Sequence, residues 1–342
     1  MFALHLRILQ FAHSLLNSAH LYVPKMALQT GVVLPHRILT LYKFAKPKLE
    51  HSTLKPLQEK LEAFCLSHKV RGTLILSTEG INGTICYPSS ESDEVMNHLK
   101  SLFPGLKTRV SHDDRNVFPR LRIKIKPQIV SIGDVHVDPT NAVGEYVKPG
   151  EAWDCLLKDP ECLVVDARNE YEVQLGTFQG AVNPHTETFT EFPAWLATNA
   201  SSSKKIAMFC TGGIRCEKAS ALAKTLFPEK AVYHLEGGIL AYLDAVPEDQ
   251  STFEGECYVF DQRVAVTHGL RPSDRFVVCF ACRRPLSQQD RDHVSFHEGI
   301  SCKYCIDDVT ERQRQRFEAR NKQIKLATRQ GKPHIHDSKY CS

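Results

Sequence analysis

The sequence predicts a mixed α/β protein: an α+β sandwich, then a parallel α/β domain, then a small cysteine-rich segment. Three observations carry this expectation. From Arg37 to Gly133 short apolar strands alternate with amphipathic helical stretches. After Asp138–Gly150, a linker rich in Asp, Pro and Gly, strands and helices alternate again, now in the manner of a parallel sheet. Two Cys-x-x-Cys pairs, Cys279/Cys282 and Cys302/Cys305, then stand nineteen residues apart. The expected division is an N-terminal extension over 1–36, a first domain over 37–136 and a second over 137–250. A linker with the four-cysteine segment follows over 251–306, and a basic tail over 307–342.

In the first domain Ile38–Phe44 reads as a strand. Leu54–His68 reads as a helix with Leu54, Leu57, Leu61 and Phe64 on one face. Gly72–Ser77 and Gly83–Tyr87 are strands flanking Glu79–Gly83, where Asn82-Gly83 signals a tight turn. A second helix, Ser92–Leu102, ends before Pro104, and Val110–His112 and Leu121–Lys126 supply further strands. The order βαββαβ is that of a ferredoxin-like sandwich. In the last strand, period-two alternation places Arg120, Arg122, Lys124 and Lys126 on one face. That face is either the wet side of the sheet or an RNA contact.

Hydrophobic residues make up 42% and charged residues 24% of the 342, an ordinary balance for a soluble globular chain, and no apolar run is long enough to span a membrane. Net charge is +4 but unevenly placed: residues 1–49 hold six Lys or Arg and no acid, and 306–342 hold nine basic against five acidic side chains. Basic ends on an acidic body suit a polyanion such as RNA, or are solvated surface. Val309–Arg329, with Arg312, Arg314, Arg316 and Arg320, reads as a charged helix or tail of the same kind. Met1–Thr30 is apolar and acid-poor but lacks an Ala-x-Ala cleavage site; with Met26 as a second start, it reads as an upstream extension rather than a targeting peptide. Twelve cysteines, several of them paired closely in sequence, fit thiols kept for chemistry or metal in a reducing cytoplasm.

In the second domain Cys162–Val165 is a buried strand with Asp166 at its carboxyl end. Lys205–Phe209 runs into Cys210-Thr211-Gly212-Gly213-Ile214-Arg215, Glu217–Leu226 follows as a helix, and Ala231–His234 is a further strand. Loops at the carboxyl ends of parallel strands form the site in such sheets. Gly212 and Gly213 let successive N–H groups turn toward one point, and the helix start adds its positive end. With Arg215 as a fixed positive fork, Cys210 is expected to be a thiolate at neutral pH. Arg215 is expected to be catalytic beside it, stabilising substrate charge with the loop N–H groups as an oxyanion hole would. Cys216 is a candidate resolving thiol or a small residue packed under the helix.

These segments resemble the rhodanese domain in order and spacing: Val165–Glu172, Gly176–Ala181, Cys210–Arg215 and Leu235-Glu236-Gly237-Gly238. The resemblance implies that Cys210 is the working residue, within a substrate loop of Thr211, Gly212, Gly213 and Ile214. It also implies that Asp166, Arg168 and Glu172 brace the sheet edge. Thr177 stands where many single-domain rhodaneses have His. With Phe178 it matches a narrower group, the rhodanese-family tRNA uridine hydroxylases. That resemblance extends to Thr78–Thr84, Cys216-Glu217-Lys218 and Cys257–Val264, and covers about Arg37 to Cys305. It implies C5 hydroxylation of the wobble uridine of certain tRNAs, giving 5-hydroxyuridine, with molecular oxygen as cosubstrate and tRNA as partner. A sulfurtransferase carrying a persulfide on Cys210 would use the same loop. A silent rhodanese-like scaffold is disfavoured by the intact nucleophile and cradle, and a Cys-x5-Arg phosphatase by the four-residue spacing. No flavin, nicotinamide or iron motif is present, and no protein partner is read from the sequence.

Cys279, Cys282, Cys302 and Cys305 have the spacing of a tetrahedral four-thiolate zinc site. Such a closed site is structural, pinning a segment too small to fold alone. His293 and His297 in the intervening loop are not needed to complete it.

Overall fold

The computed structural model describes residues 34–331; the extension before it, including Met1–Thr30, and the end of the basic tail lie outside the described residues. The first domain runs β1 (His36–Phe44), α1 (His51–Ser67), β2 (Arg71–Ser77), β3 (Gly80–Pro88), α2 (Ser92–Leu102), β4 (Lys107–Asp113) and β5 (Leu121–Ile125). The sheet order is β4-β1-β3-β2-β5, antiparallel except that β5 lies parallel to β2. The first four strands have the ferredoxin-like arrangement. The fifth is held because Leu121, Ile123 and Ile125 pack on the core while Arg120, Arg122, Lys124 and Lys126 stay exposed.

One local expectation fails. Asn82-Gly83 is not a turn but lies inside β3, with Asn82 paired to Tyr42 on one side and Ile75 on the other. The chain reverses at Thr78-Glu79, where the Ser77 hydroxyl accepts a hydrogen bond from the Glu79 N–H at 3.0 Å. That side-chain turn closes the hairpin before the Asn-Gly pair is reached.

The second domain contains β6 (Glu145–Val147), α3 (Glu151–Lys158), β7 (Cys162–Asp166), α4 (Glu170–Val173), β8 (Gly176–Phe178), α5 (Phe192–Asn199), β9 (Lys205–Phe209), α6 (Ile214–Leu226), β10 (Ala231–Leu235) and α7 (Gly238–Ala245). Its parallel sheet has the order β6-β10-β9-β7. Strand β6 lies within the stretch read as a linker; three residues are too few to show a period, and β10 supplies its register. Helix α6 begins at Ile214, three residues before the expected start. Phe178 sits among Trp153, Phe209, Tyr242 and β11 residue Phe253 (β11, Phe253–Gly255), with ring centroids 4.7–5.7 Å away. The Thr177-Phe178 pair therefore anchors the core through its second member.

Beyond these lie a small sheet of β12 (Cys257–Tyr258), β13 (Ala265–Thr267) and β14 (Arg271–Pro272), and a hairpin of β15 (Val277–Val278) and β16 (Pro285–Leu286). Helices α8 (Gln288–Asp292) and α9 (Glu311–Arg329) complete the described chain. No helix among the described residues is long and apolar enough to cross a membrane.

The open face of the first sheet packs on the second domain through two adjacent buried residues of α6. Glu217 accepts from the Tyr42 hydroxyl at 2.8 Å, from Lys107 at 2.5 Å and from the Tyr146 hydroxyl at 2.7 Å. Lys218, only 2% exposed, donates to Glu79 (2.9 Å), Gln128 (2.8 Å) and the Val130 carbonyl (2.9 Å). Removing one partner of such a buried pair leaves the other charge uncompensated. Lys218→Ala should lower stability by about 3 kcal/mol in urea unfolding. Adding Glu79→Gln should restore a good part of that loss; a wild-type midpoint for Lys218→Ala would refute the assignment.

Candidate active site

Strand β9 delivers Cys210 by simple alternation: Ile206, Met208 and Cys210 face one core layer, Ala207 and Phe209 the other. The following loop turns through Gly213, whose φ of 91° is open to glycine, and α6 starts at the next residue. The Gly213 N–H points at the Cys210 sulfur at 3.2 Å. The opposite side of the loop is held by α7, whose Ile239 and Leu240 amides donate to the Cys210 and Thr211 carbonyls at 2.9 and 3.0 Å. A Cβ on Gly238 would lie 2.4 Å from the Cys210 carbonyl, which explains glycine at that position of the helix start.

Cys210 is wholly buried, and burial by itself raises a thiol's pKa. The Cys216 thiol hydrogen bond, the Arg215 charge and the Cys216 and Arg215 backbone amides more than offset this and bring Cys210 down to about 6. Cys216 moves the other way, pushed well up by burial and by the neighbouring Cys210, so it stays a protonated donor. The pair is one thiolate beside one thiol held protonated.

The charged residues expected around the loop come together, with a different division of labour. Arg215 does not aim a free fork into the site. Its Nη1 and Nη2 donate to Glu172 at 2.6 and 2.8 Å, and Nη2 also reaches the Thr211 hydroxyl at 3.3 Å. Arg168 forms its own bidentate pair with Asp166 at 2.8 and 2.6 Å, and the Thr177 hydroxyl donates to Asp166 at 2.8 Å. Asp166 and Arg168 thus brace the edge of β7, whereas Glu172 braces the cysteine loop. In a buried setting Arg215 would be costly without that partner.

Above the loop is a cavity of about 300 Å³. Its floor is Cys210–Gly212 with Ile214 and Arg215; one wall is Thr40, Tyr42, Asn82 and Thr84 from the first sheet, and another is Val259–Asp261 with Arg263. Thr40 pairs with Thr84 and Tyr42 with Asn82, so strand register puts all four on one face. Sequence reasoning did not assign these wall residues to the site. The signal was present, because Asn82 and Thr84 lie in Thr78–Thr84 and the other wall lies in Cys257–Val264. Four of the stretches that carry the family resemblance, Thr78–Thr84, Val165–Glu172, Cys210–Arg215 and Cys257–Val264, meet at one cavity. The basic strand β5 does not line it.

The four C-terminal cysteines also converge. Their sulfurs all lie within 4.8 Å of one another, with Cys279–Cys305 at 3.9 Å, Cys282–Cys302 at 3.7 Å and Cys302–Cys305 at 3.8 Å. A tetrahedral ion with metal–sulfur bonds of about 2.3 Å requires sulfur–sulfur edges of about 3.8 Å. The donor set fits a four-thiolate metal site. His293 and His297 are not in the group.

The ultraviolet thiolate absorbance lost in Cys210→Ala should rise with pH through a midpoint near 6 in the wild type and vanish below it. Cys216→Ala removes a donor to the thiolate and should move that midpoint upward. A wild-type midpoint near 9 would show that the loop does not activate the thiol.

The UPF0176 acylphosphatase like domain family matches residues 36–129, and the rhodanese-like domain family matches 149–245. A tRNA uridine(34) hydroxylase of Brucella canis is 45% identical over 303 residues, covering 87% of this chain and 97% of its own. That of Brucella suis biovar 1 is also 45% identical over 303 residues, covering 87% and 96%. At 45% identity over most of both chains, the chain belongs to the tRNA uridine(34) hydroxylase family.

Proposed function

We propose that this protein hydroxylates C5 of the wobble uridine of tRNA, with Cys210 as the nucleophile. The observation that carries the reading is Cys210, with the Gly213 N–H on its sulfur, on the floor of a cavity whose walls include Asn82, Thr84 and Val259–Asp261 from the stretches of family resemblance. The Cys210 thiolate adds to C6 of the uracil ring, forming a C6–S bond and moving the ring's π electrons to C5 and O4 as an enolate. Loop N–H groups stabilise the negative charge that develops on this side of the cavity. Arg215, matched by Glu172, keeps the loop in shape and lowers the thiol pKa; it is a positioning residue. C5 then takes one oxygen atom from O2. The net change converts C–H to C–OH, consumes two electrons and two protons from a thiol reductant oxidised to disulfide, and releases the second oxygen as water. Loss of the C5 proton and cleavage of C6–S restore the ring. Cys216, six residues on in the first turn of α6, resolves Cys210 if it becomes oxidised.

The exposed row Arg120, Arg122, Lys124 and Lys126 is suited to the tRNA backbone, and the basic face of α9 extends that capacity. Zinc in the four-cysteine site would be structural, cross-linking the segment after the second domain. A thiolate nucleophile and a four-thiolate zinc site both need reduced cysteines, which suits the cytoplasm.

Mass spectrometry of tRNA nucleosides from cells lacking the gene and re-supplied with variants tests the reaction. Cys210→Ala should yield no 5-hydroxyuridine; full hydroxylation by it would sink the mechanism. Lost 2-thiouridine with unchanged 5-hydroxyuridine would instead favour sulfur transfer. Arg122→Ala with Lys124→Ala should weaken tRNA binding and reduce the salt slope by about two. Elemental analysis should find one zinc per chain, lost together with cooperative unfolding of the C-terminal segment in Cys302→Ser.

A further inference from the structure

Cys210 has no surface open to bulk water, so a base that reaches it must enter the cavity and leave its neighbours in the strand at the rim. At that rim stands Phe260, 57% exposed and lining the same cavity. A single exposed aromatic residue usually needs no explanation. Among the described residues, however, Phe260 alone of the exposed large hydrophobic side chains lines this cavity.

Its seat is rigid. Asp261 and Arg263 form a buried bidentate pair at 2.9 and 2.6 Å, and Arg263 also donates to the Ser111 hydroxyl at 3.0 Å. The backbone is closed by Val259 N–H to the Val264 carbonyl (2.9 Å), Val264 N–H to Asp261 (3.1 Å) and Gln262 N–H to Val117 (3.1 Å). The ring itself is propped edge-to-face by Tyr258 at 5.1 Å, and Tyr258 by Tyr171 at 5.3 Å. The charges beside it are matched within the turn, so what this turn offers a ligand is an aromatic surface fixed before binding.

We infer that Phe260 is a stacking platform for the nucleobase adjoining the reacting uridine, so that the site engages two consecutive nucleotides of single-stranded RNA. The inference rests on the tRNA reading above. Single-stranded RNA is held in this manner by bases stacked on aromatic side chains, with little dependence on which base is stacked. The platform would hold the strand while the uridine is turned inward, and would do so for any neighbouring base.

Binding of a fluorescent anticodon stem-loop to the full chain, in a Cys210→Ser background without turnover, tests this. Phe260→Ala should weaken binding ~10-fold, within the range seen when a stacked aromatic is truncated, whereas Phe260→Trp should retain it. An abasic nucleotide on one side of the uridine should cost the Phe260 protein the same factor and the Phe260→Ala protein nothing. Equal affinity of the Phe260 and Phe260→Ala proteins, or an abasic penalty that survives in Phe260→Ala on both sides, overturns the platform. The readout is separable from the reaction. Absence of 5-hydroxyuridine with the nucleotide–Phe260 coupling intact would count against the hydroxylation and leave the platform standing.

Discussion

The burial of two adjacent opposite charges, Glu217 and Lys218, is the constraint on which the architecture of the site depends. Neither side chain is tolerated in a protein interior without partners. Both find their charged partners in the first domain, where it lies across α6: Lys107 for Glu217 and Glu79 for Lys218. Burial and the Glu217 charge together push the Tyr42 hydroxyl well up, so it remains a donor in this contact. Because α6 begins directly after the cysteine loop, the same contacts set the sheet's Thr40 and Asn82 face above Cys210. The two domains therefore build one cavity.

Within the loop a second economy of charge operates. One buried arginine, Arg215, has to stabilise a thiolate without becoming an uncompensated cation. Glu172, fixed at the start of α4 by its own bond from the Asn169 amide at 3.1 Å, takes both arms of the guanidinium. What reaches Cys210 is the remaining field of that pair, together with the Gly213 amide hydrogen bond and the nearby Cys216, whose thiol and backbone lower the Cys210 pKa. Lowering a fully buried thiol to about 6 thus depends on short-range donors as much as on the arginine. The four-cysteine site is built on another principle, with like donors gathered at the separations one tetrahedral ion demands.

Much of this was legible in the chain. Alternation gave β5 and its exposed cations, the βαββαβ order gave the first sheet, and Cys-x4-Arg between a strand and a helix gave the reactive loop. The misread places are those where local chemistry yields to a neighbour. Asn82-Gly83 carries a turn signal, but Ser77 and Glu79 close the hairpin earlier and strands on both sides fix its register. Glu145–Val147 is polar and short, and becomes a strand only because β10 offers it an edge. The Thr177-Phe178 signature was visible, whereas its physical roles, a hydroxyl on Asp166 and a ring at the core's centre, were not.

The sequence by itself determined the Cys210 loop between strand and helix and the two Cys-x-x-Cys pairs, because each is encoded by residues close together in the chain with fixed stereochemistry. Only the tertiary structure decided which partner Arg215 takes, that Cys216 is a donor to Cys210, and that Thr40, Asn82 and Phe260 surround the same space. Those relations join residues up to more than two hundred positions apart. They are set by strand register and by the need to neutralise buried charge, and neither quantity is a property of any local stretch of sequence.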